Sequence, residues 1–455
     1  VKFAIQPSVR GLIIDLFMRL EEMHGKFLVR SILGFVTLCG RSGVSEMELC
    51  HLAALDDNVL ADVNQWWVPP LRTCPTLVIA RLLADLEPYL SCRGDGSGQE
   101  LLKWYHRQFW ESAEHYLFEG TNCAGTVTSA RASYTAKSEF PSRALRHAQL
   151  ADFFAGTWAG RAKPYSSWLA ERVQRHQFFP GETGGDRMVP AQPLVISGRL
   201  TSPECERLLN TRRIDEYVYH AIRCGDAASV QTEMCSLEYV AAKIAAGRDR
   251  DLVKEYADAI ETLFDSDPEP ADLLMKWMAF VGRHLDVMHL NIPMIPFQLA
   301  FQEPDTSDLH RKFLSLAEKG DDPRIVLSAC AGAGVSQERL LWWLNKPEQI
   351  DPCLLTIIEE DTVTSVAYSP CSKMLASSAG RIRIRSSVTG EVKYSKPGNP
   401  HTFRLQIDRS PIAFSPDGKY IVYANKTLTI YDTASGQQVS AIIVRRHMQT
   451  DSRLY

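Results

Sequence analysis

Val366-Ala367-Tyr368-Ser369-Pro370 returns as Ile412-Ala413-Phe414-Ser415-Pro416, 46 residues further along the chain. Thr389-Gly390 returns as Ser435-Gly436 at the same offset. Between these marks, Arg381-Ile382-Arg383-Ile384-Arg385 corresponds to Thr427-Leu428-Thr429-Ile430-Tyr431. Both alternate as half-buried strands do, because successive side chains of a strand point to opposite faces. A unit of this length, opening on an apolar-x-aromatic-Ser-Pro phrase and carrying a late glycine turn, reads as a β-propeller blade. The expectation over 347–455 is an incomplete all-β propeller of about two blades, since a closed ring takes roughly four to eight.

Upstream the apolar residues switch to helical spacing. Ile214, Tyr217, Val218, Ala221 and Ile222 share one face; Leu252, Val253, Tyr256, Ala257, Ile260 and Leu263 share another. Leu273, Leu274, Trp277, Phe280 and Val281 come next, with Gly225, Gly247 and Gly282 as punctuation between segments. Repeated short helices without a strict period predict a solenoid-like α-helical array over 143–346. Residues 121–142 hold eight Ser and Thr and little periodicity, and are expected to be a linker.

The block 1–120 is also helical. Leu12, Ile13, Leu16, Phe17, Leu20 and Met23 lie at helical spacing with Gly25 as the stop, and a second apolar helix is expected from Phe27 to Leu38. Ser45 and Glu48 make a capping box ahead of a helix over 46–55, each side chain satisfying a free backbone N–H of the other. Pro69-Pro70 interrupts the pattern, and another helix is expected over 75–86. After the turn Gly94-Asp95-Gly96-Ser97-Gly98, a closing helix is expected over 101–118 with Tyr105, Phe109, Ala113 and Leu117 on its stripe. Three short helices before a strand-turn-strand suggest a winged helix. The fold class is thus multidomain α+β: winged-helix domain, helical array, then the first propeller blades.

Lys and Arg number 50 against 54 Asp and Glu, a net charge of -4, so no global electrostatic footprint for nucleic acid or anionic lipid is present. The most apolar stretch, Phe27 to Cys39, is 13 residues long and carries Arg30, too short to cross a bilayer. Asp15 and Arg19 cut the apolar run from Leu12 to Leu20, so it does not read as a signal peptide. The 11 cysteines include no C-x-x-C pair and read as reduced thiols, neither disulfide frame nor zinc site. They imply a cytoplasmic location, with the nucleus as the other compartment. The chain begins at Val1 rather than Met, and the expectation is a piece of a longer protein.

Gly43-Val44-Ser45-Glu46-Met47-Glu48-Leu49, Pro69-Pro70-Leu71-Arg72 and Trp104-Tyr105-His106-Arg107-Gln108-Phe109 resemble the winged-helix region of NACHT and WD-repeat proteins. These are signalling NTPases of the STAND type, and the group includes the telomerase-associated protein. Leu150-Ala151-Asp152-Phe153-Phe154, Trp158-Ala159-Gly160 and Lys163-Pro164-Tyr165 resemble the family's next segment, and the two blades sit where its propellers begin. The resemblance implies a P-loop ATPase core with ATP or ADP and Mg, a winged helix holding it closed, a helical linker, and a propeller that docks protein partners. It also implies that His106 senses nucleotide, because the family's histidine in this helix touches the phosphates of bound ADP. The sequence departs from the plan in lacking any G-x-x-x-x-G-K-[ST]: Gly25-Lys26 precedes Phe27, and Gly418-Lys419 precedes Tyr420. It therefore offers no cradle for phosphates, and these residues are expected to be non-catalytic and without a cofactor of their own. Where the family tends to carry Trp-Asp, the blades have Arg385-Ser386 and Tyr431-Asp432.

Other readings are bland. Phe179-Pro180-Gly181-Glu182-Thr183-Gly184-Gly185 lacks the Lys of a phosphate loop and reads as an exposed loop, and Gly332-x-Gly334 with Ser336 as a turn and N-cap. Arg381, Arg383 and Arg385 are expected to form a solvated face, with an acidic partner or RNA as the alternative. His284 and His289 are misaligned on a helix and make poor metal ligands. The helix 75–86 has only Arg81 as a base, which argues for intramolecular packing over DNA binding. The expected function is a regulatory scaffold that couples nucleotide state to partner binding, self-assembly being an open property of such proteins. The alternative is a WD-repeat scaffold subunit of a ribonucleoprotein or other multiprotein complex with no nucleotide switch. A hydrolase built on the array has no motif in its favour.

Overall fold

A computed structural model describes residues 8–39, 42–63, 74–94, 100–118, 140–175, 187, 189–196, 209–264, 268–288, 295–318, 346, 348, 351–379, 381–397, 411–424 and 427–443. The expected linker over 121–139, the Pro69-Pro70 segment, the loop Phe179–Gly185, the Gly332–Ser336 turn with its helix, and His289 lie outside these residues.

The first block opens with α1 (Val9–His24) and α2 (Lys26–Leu38), separated by Gly25. Gly25 has φ 97, and a Cβ there would sit 2.5 Å from an Asp62 carboxylate oxygen that accepts the Phe27 N–H, so both conformation and space require glycine. The α2 helix is buried almost all round, as its unbroken apolar sequence dictates, and forms the block's axis. Next come α3 (Glu46–Ala54), α4 (Asp57–Val63), α5 (Thr76–Leu86), the hairpin β1 (Leu90–Gly94) and β2 (Glu100–Trp104), and α6 (Arg107–Phe118). The capping box of α3 is formed as the spacing requires, Ser45 Oγ accepting from Glu48 N and Glu48 accepting from Ser45 N. Val44, just ahead of α3, bridges Leu102 of β2 and gives the hairpin a third antiparallel neighbour.

One expectation fails here. The closing helix begins at Arg107, not Leu101, because Glu100–Trp104 pairs in register with β1, Leu90 against Trp104 and Gly94 against Glu100. The helical stripe through Tyr105 is therefore broken, and Tyr105 is exposed. Trp104 instead turns inward and donates from Nε1 to Thr37 Oγ1 of α2 (3.0 Å), while Trp110 donates to the Thr37 carbonyl (3.1 Å).

Helices continue with α7 (Arg143–Ala155), α8 (Ser167–Arg175), α9 (Thr211–Cys224), α10 (Ala227–Met234), α11 (Leu237–Ala245), α12 (Asp249–Leu263), α13 (Pro268–Arg283), α14 (Leu285–Met288), α15 (Ile295–Gln302) and α16 (Asp308–Glu318). Two large cores result. The first runs from Ile13 to Val189 in sequence, so α7 contributes Leu150, Phe153 and Phe154 to the N-terminal block. The second runs from Ala151 to Phe313 and centres on Trp277, Tyr239 and Tyr256. Asn210, Asp226 and Ser236 cap α9, α10 and α11. Gly225 ends α9 in the left-handed conformation, as expected, and Gly282 lies one residue before the end of α13. Its use is a close approach: a Cβ there would stand 2.5 Å from the Leu354 carbonyl oxygen, and the Gly282 carbonyl accepts from Thr356 N.

The C-terminal region holds two four-stranded antiparallel meanders. One is β3 (Ser365–Tyr368), β4 (Met374–Ala379), β5 (Arg381–Ser386) and β6 (Val392–Pro397); the other is β7 (Ile412–Phe414), β8 (Tyr420–Ala424), β9 (Thr427–Asp432) and β10 (Gln438–Ile443). The repeated Ser-Pro phrase has one structural job in both. Ser369 Oγ accepts from Met374 N and Ser415 Oγ from Tyr420 N, five residues on in each case, closing the first hairpin. Ala376, Ile382 and Ile384 of one sheet pack with Ile412, Ile421 and Tyr423 of the other.

No helix among the described residues is long and apolar enough to cross a membrane.

Candidate functional site

Where α2 ends, the first block meets α9 across a set of buried polar groups. Arg212 lies near the start of α9, and Glu216 and His220 succeed it at one-turn intervals on the same helix face. The Arg212 guanidinium donates to both oxygens of Glu48 (2.8 and 3.0 Å), to Ser42 Oγ (2.8 Å) and to the Gly43 carbonyl (2.8 Å). Glu48 thus does two jobs, capping α3 and pairing with α9. Glu216 Oε1 accepts from Ser42 and lies 3.4 Å from Arg212, while Glu216 Oε2 faces His220 Nε2 at 3.1 Å. His220 Nε2 is 3.7 Å from Cys39 Sγ, and its Nδ1 shares a hydrogen bond with His147 Nδ1 of α7 (2.8 Å). Phe154 stacks on the His220 ring, and Arg212 lies over the Phe154 face.

Burial sets the protonation states. It pushes the Cys39 thiol well up, helped by Glu216, so the sulfur stays neutral on its own. Burial, with the neighbouring His220, pushes the His147 imidazole down to about 2 and holds it neutral. For Arg212 burial works against the charge, but Glu48 and Glu216 outweigh it and raise its pKa. Glu216 Oε2 and His147 Nε2 are buried and lack a hydrogen-bond partner among the described residues. Cys39, Glu216 and His220 offer three ligand atoms within 4.8 Å of one another, a set chemically suited to a metal ion.

The second polar joint ties α13 to the first sheet through residues 351–360, while α12 reaches the sheet directly through Lys254 and Glu391. Arg383 and Arg385, expected to be solvated, are buried: both pair with Glu359, which also accepts from Ser377 Oγ (2.6 Å). This corrects the sequence reading. The face of β5 opposite the Ile pair is covered by 351–360, and only Arg381 remains exposed. Burial pushes Glu359 up, but the bonds from Ser377 and Arg383 and the charge of Arg385 outweigh it, leaving its carboxyl below the ordinary value. A cleft of about 560 Å³ opens beside the joint, lined by Asp249, Lys254, Glu359, Arg383, Arg385 and Glu391. Lys254 reaches across it to Glu391 (2.8 Å).

His106 stands apart from both. It is exposed at the N-terminus of α6, with Nδ1 accepting from Gln108 N (3.2 Å). His284 packs edge-on against Phe280 and lies 3.8 Å from Glu303. Sequence reading missed Cys39, Glu216 and His220 because position 39 and the α9 pair are joined only by tertiary packing; the i, i+4 Glu-His spacing was the one local signal.

No family model matches the chain. It is similar to human NACHT domain- and WD repeat-containing protein 1, 32% identical over 242 residues, covering 52% of this chain and 13% of that protein. Mouse NACHT and WD repeat domain-containing protein 2 is 31% identical over 233 residues, covering 48% of this chain and 12% of its own length. The chain therefore spans about an eighth of the length of the curated relatives it matches. A solved structure of U3-55K matches 20% of this chain and 29% of its own at 20% identity and TM-score 0.17, too slight a likeness to carry an argument.

Proposed function

The chain belongs to the NACHT and WD repeat domain-containing proteins, and on that premise we propose that it is a non-catalytic regulatory scaffold coupling nucleotide state to the binding of protein partners. The reading assigns a helical, winged-helix domain to 1–120, a solenoid-like array to 143–346, and about two propeller blades to 347–455. One observation carries it: the three parts are linked in series by two polar joints, so a change at one end has a mechanical route to the other. The order α2, Val44 bridge, α3, α5, hairpin supports the winged helix. The repeated meander with its Ser-Pro hairpin supports the blades.

His106 is the proposed nucleotide sensor. Its Nδ1 is already bonded, which leaves Nε2 to face outward at a helix N-terminus, where an anion is favoured. The nucleotide and its Mg would be held by an ATPase core, and these residues themselves are proposed to hydrolyse nothing. Arg383 and Arg385 are spent on Glu359, which favours protein over RNA as the partner of the blades. A cytoplasmic setting fits the thiols, and self-assembly belongs with the same proposal.

The test is the melting temperature of the native full-length protein with and without ADP. Binding to the folded state must raise it, by about 2.7 kcal/mol in stability at a ligand concentration of roughly 100 Kd. The His106→Ala variant is expected to bind ADP more weakly. Unchanged affinity in that variant removes the sensor, and no ADP effect at all leaves a scaffold of a multiprotein complex without a switch.

A further inference from the structure

We propose that Cys39, Glu216 and His220 form a binding site for a divalent transition metal of the zinc class, one that rivets the end of α2 to α9.

Geometry comes first. A tetrahedral ion with bonds of about 2.0–2.3 Å spaces its ligand atoms roughly 3.3–3.8 Å apart. The His220 Nε2 to Cys39 Sγ distance is 3.7 Å, and His220 Nε2 to Glu216 Oε2 is 3.1 Å. The third separation, from Cys39 to the Glu216 carboxylate, is within 4.8 Å, so all three ligand atoms already converge on one point. All three residues have 0% exposure. Glu216 and His220 present their ligand atoms from one helix face, and Cys39 closes the set from the C-terminal cap of α2.

The surrounding groups are those a metal site requires. Ser42 and Arg212 hold Glu216 Oε1, which leaves the unpartnered Oε2 turned toward the cluster. His147 Nδ1 holds His220 Nδ1, and in the tautomer where His220 donates this hydrogen bond its Nε2 is a free lone pair for a metal. Charge agrees. Two buried carboxylates, Glu48 and Glu216, face one guanidinium, Arg212, so one negative charge is left over. A divalent ion that displaces the Cys39 thiol proton adds one positive charge net and closes the balance, with a single proton released to solvent. Zinc is favoured over calcium or magnesium because the set contains sulfur and nitrogen.

The test uses the full chain, reduced and stripped by a chelator, with Co²⁺ as the spectroscopic probe and Zn²⁺ as competitor. The expected result is one Co²⁺ per chain, with thiolate-to-cobalt charge-transfer absorption that Zn²⁺ abolishes, and a melting temperature raised by Zn²⁺. Cys39→Ala should lose the charge-transfer band, while Cys235→Ala, buried in the other core, should keep it. Glu216→Gln preserves shape and the Ser42 contact and should weaken Co²⁺ by more than about tenfold, which serves if the cysteine variant does not fold. Absence of the band in the wild type, its survival in Cys39→Ala, or an unchanged affinity in Glu216→Gln overturns the proposal.

Discussion

The two polar joints differ in depth. At the first, Arg212, Glu48 and Glu216 are buried between two well-packed cores and their bonds run directly between backbone-anchored helices. At the second, Glu359 and its two arginines are covered by an extended segment beside an open cleft, and Lys254–Glu391 is an exposed pair. Charges removed from water hold only when fully paired, so the first joint is all-or-none. The ion pairs of Glu359 are buried too, but on one side they border an open cleft, where water can replace a lost partner. The second joint can therefore yield while both helical cores stay intact.

The largest expected break is at the first joint. Arg212→Leu leaves Glu48 and Glu216 buried without their cation and should cost about 3–5 kcal/mol, read by denaturant unfolding. Glu359→Gln should cost less, about 1–3 kcal/mol, since two guanidiniums keep access to the cleft. The same residue sharpens the contrast through pH. Its folded pKa lies below the ordinary 4.5, so its contribution is fully present above that value and fades as the pH falls through the lower native one. The acid transition of the sheet region, tracked by tyrosine fluorescence, should flatten in Glu359→Gln. Gly282→Ala drives a methyl against the Leu354 carbonyl and should cost about 1–2 kcal/mol, with exchange of the Thr356 amide rising first. Lys254→Ala should change stability by no more than about 0.5 kcal/mol.

Much of this architecture was legible in local sequence. The α1 helix, the Ser45–Glu48 capping box and the alternation within the 46-residue repeat are short-range patterns, and the structure has the helix, the box and two like antiparallel four-stranded sheets. The start of α6 was not legible, because the strand 100–104 depends on pairing with β1 rather than on its own periodicity. The arginine stripe misled for a related reason: alternation gives the face, and only the fold supplies Glu359, 24 residues upstream of Arg383, to cover it. The Cys39 cluster needed contacts across 181 residues. His106 was found by resemblance, and its exposed place at a helix N-terminus is what the proposed role asks for.

Native-state hydrogen exchange on the full chain tests the central claim, that the first joint is locked and the second yields. Amides of α9 around Glu216 and His220 should exchange only with global unfolding, while those of 354–360 and β5 exchange through a smaller opening that leaves α9 protected. Equal protection at both joints, or earlier exchange in α9, would contradict the account.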